Sequence, residues 1–214
     1  MHHLFTSIYK QSLKGKGEIN SNKQDKGDLH LVIQHQQEDD LSSERFGANY
    51  YAKLRDLLAA QDWKAADQET AKRMLEVMDQ QDRVVSILDS GNVEKFPCLD
   101  LLNIDKLWVK YSFGKFGFSI QKEIWESYGS PTSTNKDWTN FCCAIGWHTR
   151  GGFLGGKWLS CSQLTFDLVK APMGHLPRVF DSWGWGYGTL NWKWVYLSSL
   201  GPRLTICNRQ VIRP

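Results

Sequence analysis

From Asn49 onward, apolar side chains return at three- and four-residue spacing. Tyr50, Leu54, Leu57 and Leu58 fall on one stripe and predict a first helix, and Asp62 stands ahead of Trp63 as the N-cap of a second. The second helix runs from Trp63 towards Met78, with Ala66, Thr70, Met74, Val77 and Met78 on one side. Lys64, Asp67, Lys72 and Arg73 turn mostly outward. Together they predict an antiparallel helical hairpin. Such hairpins also build tetratricopeptide-like arrays, but no second copy follows at about 34 residues, which sets a repeat architecture aside. Further on, Pro97 disfavours helix at Phe96, and Asp100 is the expected cap of a helix carrying Leu101, Ile104, Leu107, Trp108 and Tyr111 on one face. That helix should end in the stretch Ser112 to Phe118, where Gly114 and Gly117 permit positive φ and Phe113, Phe116 and Phe118 project from a short loop. Ser119 is the expected cap of a helix with Ile120, Ile124, Trp125 and Tyr128, closed by Gly129 at its C′ position. A short helix from Asp137 to Ile145 should close in the same way at Gly146. Gly151, Gly152, Gly155 and Gly156 then break the chain into turns, and Ser160 to Leu168 is ambiguous between helix and extended structure. Ala171 to Pro177 reads as a rigid connector, because both of its prolines fix φ.

The two ends differ from this pattern. Gln11 to Ser43 is polar, with Leu29, Leu31, Val32 and Ile33 as an apolar island, too little to offset the entropy of ordering it, so a flexible leader is expected. At the other end Trp183, Trp185 and Tyr187 alternate, followed by Trp192, Trp194 and Tyr196, with Gly188 to Asn191 between. A period of two around a central turn predicts a β-hairpin. Its aromatic face has three possible seats: the domain's own apolar surface, a partner, or the headgroup level of a membrane as a peripheral contact. The first is preferred, since an isolated hairpin needs something to pack on.

Composition narrows the function. The 214 residues suit one globular domain with extensions, and 26 basic against 23 acidic residues leave a net charge of +3, without the basic stripe that nucleic-acid binding requires. No run approaches the roughly 18 apolar residues of a membrane helix. The amino terminus has no signal-peptide core, and the acidic residues from Glu18 to Glu44 are unlike a transit peptide. Ten Trp and ten Phe concentrate large flat apolar groups. The five cysteines, Cys98, Cys142, Cys143, Cys161 and Cys207, show no zinc-ligand spacing and suggest reduced thiols in a reducing interior. Neither a nucleophile with its base, nor a carboxylate pair, nor a phosphate loop emerges, and a non-enzymatic role is expected.

Five blocks carry a family resemblance: LRDLLAAQDWKAADQETAKRML, VEKFPCLDLLNIDKLWVKYSFGKFGFSIQKEIW, IGW, KWLSCSQLTFDL and APMGHLP. In order and spacing they resemble the genomes-uncoupled-four domain family of tetrapyrrole-binding regulators of magnesium chelatase. The resemblance implies an all-α, compact cupped-hand domain over residues 46–177, between a leader at 1–45 and an aromatic-rich extension at 178–214. It also implies protoporphyrin IX or Mg-protoporphyrin IX as ligand, the magnesium chelatase large subunit as partner, and the cytoplasm of a cyanobacterium or the plastid stroma as compartment. By motif position, Val93, Phe96, Phe116, Phe118, Trp158 and Phe166 are the expected pocket residues. Lys157 and Arg178, with Arg150 and Lys115, are the cations placed for the porphyrin's propionates, and His175 is a candidate axial ligand to its magnesium. Two departures stand out: the family's arginine-bearing helix after HLP is not matched by Arg178 to Tyr187, and the N-terminal bundle of some members is replaced by the polar leader. These leave open an interaction module of the same fold, or a linear bilin in place of the porphyrin.

Overall fold

The computed structural model describes residues 39–79, 90–151, 156–179 and 191–211. Among them the chain forms seven α-helices: α1 Ala52–Ala59, α2 Trp63–Val77, α3 Ser90–Glu94, α4 Cys98–Tyr111, α5 Phe118–Ser127, α6 Lys136–Ala144 and α7 Asn191–Val211. No β-strand forms among the described residues, which carry two isolated β-bridges, Ser43 with Gly47 and His148 with Trp158. The all-α expectation holds. No described helix is long and apolar enough to cross a membrane.

α1 and α2 form the expected hairpin, with Asp62 accepting the Ala65 N–H at 3.1 Å as N-cap. α4 packs on α1 and presents Trp108 to Trp63 and Phe116, with ring centroids 6.1 and 6.3 Å away. The Trp108 indole N–H donates to the Thr70 hydroxyl at 2.9 Å, and that hydroxyl donates to the Ala66 carbonyl at 2.8 Å, so this buried polar chain is satisfied within the core.

Two helix starts differ from expectation. α4 begins one turn early, behind Pro97, and Asp100 lies fully buried in its first turn. There Asp100 accepts from the Tyr51 hydroxyl at 2.6 Å and from the Glu44 N–H at 3.0 Å, a tertiary role in place of the expected cap. α5 begins at Phe118 behind Gly117, and the Ser119 N–H is taken by Asp105 of α4 at 2.9 Å, so the neighbouring helix supplies the cap expected of Ser119. Burial pushes the Asp105 carboxyl above its usual range, against the bonds from the α5 terminus. Gly117 has φ 138, and a Cβ there would lie 2.7 Å from Val109 Cγ2, so the close seating of α5 on α4 requires glycine. Gly129 and Gly146 follow α5 and α6 at φ 81 and 75, as C′ residues should.

Of the expected leader, residues 1–38 lie outside the described residues. Asp39 accepts from Lys110 Nζ and from the Tyr111 hydroxyl at 2.6 Å each, and Asn103 Nδ2 donates to the Ser42 carbonyl at 3.0 Å, so the leader's last residues rest on α4.

The hairpin expected in the tail is overturned over its second arm. Trp192, Trp194 and Tyr196 belong to helix α7, whereas Trp183 to Tyr187 and the expected turn at 188–190 lie outside the described residues. α7 packs on α3, α4 and α5, with Leu200, Leu204 and Cys207 buried at one helical face. The described face of α7 covers helices α3, α4 and α5, whereas the aromatic side chains of the expected hairpin lie outside what the structure describes. Cys207 also forms a disulfide with Cys98, against the expectation of reduced thiols throughout.

Candidate functional site

The chain after α6 builds a folded-back edge. Asn135 caps α6 by accepting the Trp138 N–H at 2.9 Å, and after Gly146 turns the chain, the Trp147 and His148 N–H groups both donate to the Cys142 carbonyl, at 2.8 and 3.2 Å. The Thr149 N–H then meets the Lys157 carbonyl at 2.9 Å and the Leu159 N–H meets the Trp147 carbonyl at 3.0 Å, which sets Lys157 and Trp158 beside His148 and Thr149. The His148 and Trp158 rings meet edge to face at 5.1 Å.

The connector fastens this edge to the helical core. Trp147 Nε1 donates to the His175 carbonyl at 2.8 Å. His175 Nδ1 lies 2.7 Å from the Ile145 carbonyl, and its Nε2 accepts the Thr165 N–H at 3.2 Å. One tautomer satisfies both: Nδ1 carries the proton and Nε2 the lone pair. Burial holds the His175 imidazole below its ordinary pKa, with Arg178 and Lys115 adding repulsion. The neutral ring therefore has no nitrogen left for a metal. Arg178 Nη2 donates to the Leu159 carbonyl at 2.5 Å and its guanidinium stands 5.8 Å from the Trp147 ring, while its backbone N–H donates to Asp67 of α2 at 2.6 Å.

Between α6 and the folded-back edge opens a cleft of about 580 Å³, lined by Tyr128, Thr139, Asn140, Cys143, His148, Thr149, Arg150, Gly151 and Gly156. The size lies in the range of small-molecule sites, about 300–1,000 Å³. Cys143 Sγ is 3.5 Å from His148 Nδ1, and burial raises its thiol pKa, with Arg150 pulling the other way.

The residues expected at the pocket divide into three places. Lys157, Trp158, His175 and Arg178 come together around the folded-back edge, with half-buried Phe166 next to the Thr165 that bonds His175. Phe116 and Phe118 are fully buried in the core, Phe116 at 5.4 Å edge to face with Trp63. Val93 and Phe96 are equally buried, on the side that α7 packs against. These four expose no face to a ligand in this conformation. Tyr128, Thr139, Asn140, Cys143 and His148 were not singled out as site residues. The signal available for them was Gly146, whose turn at φ 75 brings Trp147 and His148 back onto Cys142 of α6.

A family model described as GUN4-like matches residues 44–189, well over half of the chain. The chain belongs to the GUN4-like family. Among curated proteins it is 36% identical over 127 residues to a Ycf53-like protein of Synechocystis, 59% of this chain and 50% of that one. It is 29% identical over 137 residues to a protein of Arabidopsis thaliana named tetrapyrrole-binding protein, chloroplastic, covering 61% of this chain and 48% of that one. The chain thus spans about half the length of the curated relatives it matches. Its fold is that of the ligand-free Arabidopsis thaliana GUN4, at TM-score 0.54 and 23% identity over 73% of this chain and 99% of the other. The GUN4 structure from Chlamydomonas reinhardtii gives TM-score 0.53 at 24% identity over 82% and 99%.

Proposed function

We propose that the chain is a non-enzymatic tetrapyrrole-binding protein that holds protoporphyrin IX or Mg-protoporphyrin IX at the cleft beside Trp158 and regulates magnesium chelatase. The observation that carries this reading is the folded-back edge itself. It lines one opening with the His148 imidazole and Arg150, and sets the Trp158 indole against that imidazole and Lys157 against the neighbouring Thr149, in a family with a member named tetrapyrrole-binding. A porphyrin has two apolar faces and two propionates on one edge. Trp158 and His148 suit the faces, and Arg150 and Lys157 suit the carboxylates. Burying about 200 Å² of disc at about 25 cal/mol per Å² supplies on the order of 5 kcal/mol before the cost of association, so micromolar binding, about 8 kcal/mol net, requires a larger share of the disc to be covered together with the carboxylate pairs. His175 has no part as a magnesium ligand, since both ring nitrogens are engaged.

The site is tested by titrating Trp158→Ala and Arg150→Ala variants with deuteroporphyrin IX. Each should bind about tenfold more weakly, about 1.4 kcal/mol, and Arg150→Ala should do so with unchanged thermal stability. Wild-type affinity in both would remove the cleft as the site. The regulatory role is read in a magnesium chelatase assay, where added protein should raise the rate and Trp158→Ala should not. The compartment in which this would operate is a cyanobacterial cytoplasm or a plastid stroma; one relative is from Synechocystis and another is named chloroplastic.

A further inference from the structure

We propose that Cys98–Cys207 is a reversible thiol–disulfide site, and that its reduction by a dithiol protein releases α7 from the face it covers. The inference does not depend on the ligand reading. α7 begins beyond the 44–189 stretch matched by the family model. Among the described side chains of α7, 198–210, its apolar hold is modest. Leu200, Leu204 and Cys207 are the apolar residues that the described part of α7 buries, at i, i+4 and i+7, and Arg203 Nε donates to the Phe96 carbonyl at 2.8 Å. Gly201 allows close approach to α5, since a Cβ there would lie 3.1 Å from Trp125 Cζ3. The covalent link joins residues 109 apart in sequence, and closing so long a loop withdraws a large share of the unfolded chain's freedom. Over 198–210, where the side chains of α7 are described, the covalent link is thus a principal restraint, and one that chemistry can open.

The two sulfurs are unequally placed. Cys207 is fully buried, whereas Cys98 is half-buried at the first position of α4, where the helix terminus favours a thiolate. A thiolate of the reductant attacks Cys98 Sγ, the S–S bond breaks, and Cys207 leaves as a thiolate and takes a proton. The reductant's second thiolate then attacks its own sulfur in the mixed disulfide and releases Cys98. The reductant's dithiol becomes a disulfide, and two electrons and two protons end on the two cysteines. Cys142, Cys143 and Cys161 form no disulfide and take no part. Disulfides in reducing interiors are usually transient and regulatory, in keeping with a site of this kind. Release of α7 would bare the side of α3 and α4 where Val93 and Phe96 now lie buried.

The test uses the full chain, with thioredoxin as the dithiol protein. Alkylation under denaturing conditions should label three cysteines before treatment and five after it, and amide exchange across 198–211 should quicken at least about tenfold while α2 is unchanged, a conservative share of the lost loop-closure constraint. Cys207→Ser and Cys98→Ser should each exchange like the reduced protein with or without thioredoxin; the half-buried position makes Cys98→Ser the milder change. Five labels without reductant, or equal exchange in 198–211 before and after reduction, would overturn the proposal.

Discussion

Tyr51→Phe removes one oxygen from the interior and leaves everything else of the ring in place. Tyr51 is fully buried, and its hydroxyl donates to Asp100 Oδ1 at 2.6 Å. Burial and the neighbouring Asp100 raise the phenol far above its ordinary pKa, so it remains a donor at any working pH. Asp100 is itself fully buried, and its other oxygen already accepts the Glu44 N–H at 3.0 Å. With the hydroxyl gone, Oδ1 loses its donor in a place water does not reach. Hydrogen bonds to carboxylates contribute about 1.5–3 kcal/mol, so the expected loss is about 2 kcal/mol, or about 4–8 °C in Tm for a chain of this size. Urea unfolding followed by Trp fluorescence reads it as a lower midpoint at unchanged slope. Tyr50→Phe is the internal control. That hydroxyl donates to Glu76 Oε2 at the same 2.6 Å but is only half-buried, so water can replace it and the cost should stay below about 1 kcal/mol. Equal effects of the two changes would refute the claim that burial, and not bond length, sets the energy.

Three further outcomes follow from the same reasoning. The His175 imidazole is held below its usual 6.5, so its contribution to stability is complete above pH 6.5 and is lost as pH falls through the folded-state value; Tm should fall between pH 7 and 5, and His175→Gln should flatten that slope. Thr70→Val leaves the buried Trp108 N–H without its acceptor and should cost about 1–3 kcal/mol in urea unfolding, whereas Thr70→Ser should be nearly silent. Gly146→Ala adds a Cβ 2.7 Å from Pro172 Cγ at φ 75 and should cost more than the about 1–2 kcal/mol of left-handed strain alone. Gly129→Ala, at φ 81 with nothing within 4 Å, should show only that strain in thermal melts.

Much of the fold was legible because its signals are local. Asp62 before Trp63, and Gly129 and Gly146 after their helices, act through neighbours three or four residues away, and the structure keeps them in those roles. Asp100 and Ser119 were misread for the opposite reason. Pro97 had already started α4, and Asp105, 14 residues upstream, had already taken the Ser119 N–H. The alternating aromatics of the tail imitate a strand, and Pro202 hides a helix that tertiary contact with α3, α4 and α5 nonetheless stabilises. No spacing rule pairs cysteines 109 residues apart. The motif that holds Lys157 and Trp158 lies beside the cleft residues His148 and Thr149, whereas the aromatic residues of the earlier motifs are buried in the core. Phe116 and Phe118 are wanted by the interior as much as by a flat ligand, and sequence pattern does not distinguish the two demands.

The central claim is tetrapyrrole binding at the folded-back edge, and its most direct measurement is equilibrium titration of the purified chain with deuteroporphyrin IX and its magnesium complex, followed by Trp quenching. The account predicts saturable one-to-one quenching in the micromolar range or tighter, with amide protection gained across 147–151 and 156–159. Linear, unsaturable quenching by both porphyrins, with no protection at that edge, would contradict it.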